Sequence, residues 1–79
     1  MEKEAFLELL HRLEIDERIV VLDDSLRDGY CIRRNGHRWE VLVRERGMEY
    51  DVMGFPSQGD AFQYLAEKLT KLRQWSKLL

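Results

Sequence analysis

The sequence has one cysteine, one proline and no long apolar run. With Cys31 alone no internal disulfide can form, which removes disulfide-framework domains from consideration and fits a reducing compartment. Pro56 is the single proline, there are five glycines, and no low-complexity tract favours a disordered chain. No segment approaches the roughly 20 consecutive apolar residues of a membrane span. The opening stretch MEKEAFLELLHRLEI carries acids among its apolar residues, unlike a signal peptide. The expectation is a small soluble cytoplasmic protein with no membrane association. Its 79 residues make one domain (1–79), and a chain of that size buries only about 60% of its unfolded surface, so its core is small.

A basic excess is also missing. Fifteen Asp and Glu stand against 13 Lys and Arg, for a net charge of −2. The distribution is uneven, with a net of −5 over residues 1–24, 0 over 25–66 and +3 over 67–79. Acids early in a first helix and bases late in a last one suit the helix macrodipole. A basic tail contacting nucleic acid is the lesser reading, because the chain as a whole is mildly acidic.

What is present is a clear change of period. Phe6, Leu9, Leu10 and Leu13 recur at helical spacing, with Glu2, Glu4 and Glu8 between them. The segment RIVVL (18–22) reads as a short strand or an extended return to the core, and DDSLRDG (23–29) as a loop. Three strands follow. GYCIRR runs into Asn35-Gly36, a favoured two-residue hairpin turn, which pairs Ile32 with Trp39 and Tyr30 with Val41. The next turn lies at Glu45-Arg46-Gly47, with Gly47 as its left-handed residue. An even loop there sets Val43 opposite Tyr50, Val41 opposite Val52 and Arg44 opposite Glu49. Tyr30, Ile32, Trp39, Val41, Val43, Tyr50 and Val52 are then the buried face. Cys31, Arg33, Arg38, Glu40, Leu42, Arg44, Glu49, Asp51 and Met53 form a second face of the kind commonly left in water.

FPSQGDAFQYL opens a final helix, with Ser57 and Asp60 spaced as a capping box. Phe62, Leu65, Leu69, Leu72 and Leu79 follow a 3-4 pattern, adjoined by Ala61 and Trp75. The predicted fold class is α+β, a two-layer sandwich of helix, three-stranded antiparallel sheet and helix.

Reactive constellations are scarce. His11 and His37 lack the spacing of a metal pair, and a lone cysteine offers no CxxC. Ser25 and Ser57 have no His or acid at triad spacing. The glycines are scattered at turns rather than gathered in a phosphate-binding loop. Glu40 and Asp51 fall on the same sheet face, where carboxylates beside arginines ordinarily form a solvated surface. The expectation is a binding protein rather than an enzyme, with no cofactor, no metal and no catalytic residues.

Two families resemble parts of this chain. Residues 29–65 resemble small immunity proteins of bacterial polymorphic toxin systems. The likeness rests on DGY before the first long strand, Trp39 and Val41 as W-x-V, Glu45-Arg46-Gly47 as ERG, Phe55 and Ser57 as F-x-S, and Ala61, Tyr64 and Leu65 in the helix that follows. The chain departs from that pattern at Gln58, where an acid is more usual. The resemblance implies a cytoplasmic protein that binds and neutralises a cognate secreted toxin, an enzyme such as a nuclease or an NAD glycohydrolase. The element order is also similar to that of double-stranded RNA-binding domains, over RGMEYDVMGFPSQGDAFQYLAEKL. That family places lysines at the start of its last helix to span phosphates. Here the stretch is SQGDAFQ, with an acid and no base, which removes the main affinity term for a polyanion and argues against nucleic acid as the partner. The alternative to an immunity protein is a double-stranded-RNA-binding-like module or a small adaptor or subunit of an unrelated assembly.

A protein partner would meet three candidate surfaces. Arg33, Arg38, Glu40, Arg44, Glu49 and Asp51 alternate in charge around Leu42 and Met53 on the second sheet face. Glu45 and Arg46 sit at a hairpin tip that can reach into a cleft. A helix over 58–79 would be roughly 33 Å long, against about 23 Å for seven-residue strands. The overhang would carry Trp75, Leu78 and Leu79, which would either fold back on the core or pair two chains as a homodimer.

Overall fold

The computed structural model describes residues 1–23 and 25–78, with side chains described as far as Arg73. The elements are α1 (Lys3–Arg12), a 3-10 turn (Glu17–Ile19), β1 (Val20–Val21), β2 (Gly29–Asn35), β3 (Arg38–Glu45), β4 (Met48–Phe55) and α2 (Gln58–Leu78). The class is α+β as expected, but the sheet has four strands in the order β1-β2-β3-β4. The expected three-stranded antiparallel sheet is therefore corrected to a mixed one. Val20 and Val21 pair in parallel with Tyr30 and Cys31. Parallel pairs usually need a long crossover. Here β1 is only two residues long, so residues 22–28 suffice to carry the chain back.

Helix α1 buries Phe6 and Leu10 and carries Glu4 in its first turn and His11 and Arg12 in its last. It ends in a Schellman motif. The Ile15 N–H donates to the Leu10 carbonyl at 2.9 Å and the Glu14 N–H to the His11 carbonyl at 3.1 Å. Glu14 takes the left-handed position at φ 57°, where glycine is usual. Helix α2 starts where Ser57 Oγ accepts the Asp60 N–H at 3.1 Å, one half of the expected capping box.

Both helices cover one sheet face. The core between them contains Phe6, Leu10, Val20, Ile32, Val41, Ala61, Phe62, Leu65, Ala66 and Leu69. The Phe6 and Phe62 rings, one from each helix, are 5.0 Å apart. The expected helix positions of Trp75 and Leu78 are realised in α2, but their side chains, and all of Leu79, lie outside the described residues.

Two register corrections follow from the strand pairing. The β2–β3 turn is Gly36-His37 rather than Asn35-Gly36, so Ile32 faces Val41 and Tyr30 faces Val43. The expected register would have set Arg33 against Arg38. The observed one sets Arg33 against Glu40, an attractive pair in place of a repulsive one. The shift is two residues, so every side chain keeps its expected face. Between β3 and β4, Arg44 faces Glu49 and Val43 faces Tyr50 as expected, but Val41 faces Met53 instead of Val52. A bulge with Asp51 at φ 55° adds one residue to β4 opposite Leu42. Met53 and Phe55 therefore turn to the helix side, and Val52 to the other.

The β3–β4 hairpin closes on Arg46 (φ 54°) and Gly47 (φ 78°), both left-handed as a type I′ turn requires. The expectation for Gly47 holds, and Arg46 shares the same conformation. Asp28 secures the tip from outside the hairpin. Its carboxylate accepts the Arg46 N–H at 3.0 Å and the Gly47 N–H at 3.4 Å.

Candidate functional site

The sheet face away from the helices was expected to be open and solvated. Instead it carries a second buried cluster of Val21, Cys31 and Leu42. Leu42 is 1% exposed, although the alternation of the sequence left it outside the core. On the same face the Ser25 carbonyl accepts from Arg44 Nη1 at 3.4 Å. The rest of this face is made of charged side chains.

Those side chains form one chain of ion pairs across three strands. Arg33 on β2 donates to Glu40 Oε1 on β3 at 2.8 Å and to Glu49 Oε2 on β4 at 2.6 Å. Arg44 on β3 donates to the same Glu49 oxygen at 2.9 Å. Asn35 Nδ2 reaches Glu40 Oε2 at 3.4 Å. The Arg44 side chain is 8% exposed, against 37% for Arg33 and 35% for Glu49. Its guanidinium also approaches Cys31 Sγ at 3.7 Å.

The electrostatics follow from these contacts. Hydrogen bonds from Arg33 and Arg44 hold the Glu49 carboxyl below its ordinary range, and Arg33 does the same to Glu40. In return Glu49 and Glu40 raise the Arg33 guanidinium further above neutrality. Burial pushes the Cys31 thiol up, with Arg44 partly opposing it, so Cys31 is a packed neutral thiol rather than a nucleophile.

Four of the eight charged residues singled out in the sequence, Arg33, Glu40, Arg44 and Glu49, are thus brought together. The other four are exposed and apart from the network. Arg38 lies across Gly54, where a Cβ would come within 2.6 Å of its Nη2. Asp51 is in the bulge, and Glu45 and Arg46 are at the hairpin tip. Met53, expected beside the charges, is on the helix side.

Sequence reasoning missed Asp28, Ser25 and Asn35 as partners, and Val21 as a buried residue of this face. Only Asp28 had a legible signal, an acid just before a strand with a turn to cap nearby. Among the described residues an open groove of about 670 Å³ runs along α1 between Glu4, Leu7, Glu8, His11, Arg12 and Glu17. Among the described residues there is no group of three or more His, Cys, Asp or Glu placed to hold a metal ion. Nor is any helix among them long and apolar enough to cross a membrane.

Comparison with family models, with curated proteins and with solved structures gives no match to this chain.

Proposed function

We propose that this chain is a non-enzymatic protein-binding module that neutralises a cognate secreted toxin in the cytoplasm by covering the toxin's active cleft. The observation that supports it is the interlocked face of Arg33, Glu40, Arg44 and Glu49. Because these side chains are already ordered, a partner docking there sacrifices little side-chain entropy. The mixture of signs favours specificity and fast encounter with one complementary partner. Arg33 retains Nη2 for bonds beyond the network. The exposed Glu45 and Arg46 stand apart from that network at the hairpin tip, where they can reach into a cleft. The likeness of residues 29–65 to immunity proteins supplies the identity of the partner class, a toxin enzyme domain.

The test is protection. The gene beside this one is expressed as its toxin domain, with and without this chain. Restored growth and stoichiometric inhibition of the purified domain are the expected results. A neighbouring gene that encodes no toxic domain, or a domain whose activity is unchanged by excess chain, overturns the reading.

A further inference from the structure

We propose that β4 is a self-pairing edge, joining a second copy of this chain across a two-fold axis to make a continuous eight-stranded sheet. The inference goes beyond toxin neutralisation and does not depend on it, since the charged face stays uncovered when sheets join edge to edge.

Strand β4 ends the sheet, and its residues 48–54 are all exposed. Met48 (61%), Tyr50 (45%), Val52 (44%) and Met53 (45%) lie on this one strand, half of the large hydrophobic residues exposed among those described. Free edges are normally blunted by shortness, proline, charged side chains (lysine above all) or a bulge. This strand is eight residues long, contains neither lysine nor proline, and is interrupted only by Glu49 and by the bulge at Asp51.

The edge is self-complementary, which identifies the occupant. A second copy brings the same bulge in the opposite direction. With Tyr50 facing Met53 of the second copy, residues 51 and 52 of the two strands oppose one another across the axis. Tyr50 and Met53 share the helix side only because the bulge lies between them. In that register Met48 faces Phe55 of the second copy on the helix side, and Glu49 faces its Gly54 on the charged side.

The polar groups fit the same register. The two-residue turn makes Glu45 and Met48 a hydrogen-bonded pair, so Arg44 and Glu49 are not one, and the Glu49 backbone points out of the edge. Both internal donors to the Glu49 carboxylate use Oε2, leaving Oε1 open. Across the axis stands Gly54 of the second copy with that copy's Arg38 lying over it. Within one chain Arg38 has no ion-pair partner among the described residues. Each edge therefore supplies one free guanidinium and one free carboxylate oxygen to the other, twice per dimer.

Sedimentation of the chain alone tests this, with no toxin present. The expected mass is twice 9.5 kDa, shifting toward the monomer on dilution. The variants Y50K/M53K and Y50E/M53E should each be monomeric and folded by circular dichroism, and an equimolar mixture of the two should return to the dimer mass. If either variant fails to fold, Y50C and M53C chains mixed under mild oxidation should cross-link to each other. A wild-type monomer at every concentration, a Y50K/M53K variant that remains dimeric, or no Y50C–M53C cross-link overturns the proposal. Loss of toxin inhibition with dimerisation intact would instead count against the function proposed above.

Discussion

Arg33 Nη1 and Glu49 Oε2 are 2.6 Å apart although their strands are not neighbours. β3 runs between them, and the residue they close over is Leu42. The contact gives the charged face two tasks. It orders a surface, and it keeps water from an apolar side chain that neither helix covers. Surface ion pairs contribute little by themselves, up to about 1 kcal/mol each. Roofing a leucine adds the larger hydrophobic contribution, about 1.5–3 kcal/mol for a fully buried side chain.

Leu42→Ala should therefore behave as a core substitution, destabilising the chain by about 2–4 kcal/mol in denaturant unfolding. An effect under about 0.5 kcal/mol would mean that the charged roof does not exclude water. Reversing Glu40 and Arg44 together should also lower the denaturant midpoint sharply, because a carboxylate at the buried position 44 would face Glu49 and a guanidinium at position 40 would face Arg33. A solvated face would tolerate that reversal.

The helices and the face assignment of β2 and β3 were legible because periodicity alone decides them. The two-residue error in the first hairpin did not disturb the faces, and it was avoidable. Asn-Gly is a strong turn signal, but it opposed Arg33 to Arg38, and cross-strand charge pairing outweighed it. The bulge at Asp51 was not legible. Nothing in DVMGF distinguishes a regular strand from one that turns Met53 and Phe55 to the helix side, where the Phe55 ring lies 5.0 Å from that of Tyr64 on α2. Leu42 was misplaced for a related reason. The ion pairs of Arg33 and Arg44 with Glu49 close over its face, and alternation within β3 cannot reveal them.

The pH response follows from the same network. Glu40 and Glu49 have carboxyls held below the ordinary value of 4.5 in the folded chain. Groups depressed on folding contribute stability that is present above their unfolded pKa and lost as pH falls through the folded one. Asp16, lowered to about 2 by Arg18, acts in the same direction. Stability should be insensitive to these groups near neutrality and decline below about pH 4.5. The Glu40→Gln/Glu49→Gln variant should be less stable at pH 7 and show a shallower acid decline. An unchanged slope would separate the ion pairs from acid unfolding.

At the end of α1, Glu14 occupies a left-handed position that costs a side-chain-bearing residue about 1–2 kcal/mol. Its 3.4 Å contact with Arg73 is largely exposed and offsets little. Glu14→Gly should raise stability by about 1 kcal/mol, partly cancelled by the freer unfolded chain. For a domain of this size that is a Tm increase of roughly 4–8 °C. A decrease would mean that the Arg73 contact outweighs the backbone strain.

The Asp28 carboxylate holds the tip of the β3–β4 hairpin through the Arg46 and Gly47 amides, 18 and 19 residues along the chain. It thereby ties the residue just before β2 to the turn that presents Glu45 and Arg46. Asp28→Ala removes the acceptor, but the freed amides are exposed and can turn to water, so the loss should be about 1 kcal/mol. Gly47→Val acts on the turn itself, since φ 78° is strained for a β-branched residue. It should cost more than Asp28→Ala and shift the β4 amide resonances as the type I′ turn opens. Replacing Glu45 and Arg46 with Ala should leave the melting temperature nearly unchanged, because their side chains are exposed and only the backbone of Arg46 is held. Amide exchange separates the three cases. Asp28→Ala should accelerate exchange at 46 and 47 alone, Gly47→Val along β4, and the double alanine at neither. A double alanine variant as unstable as Gly47→Val would show that the tip is held by its side chains.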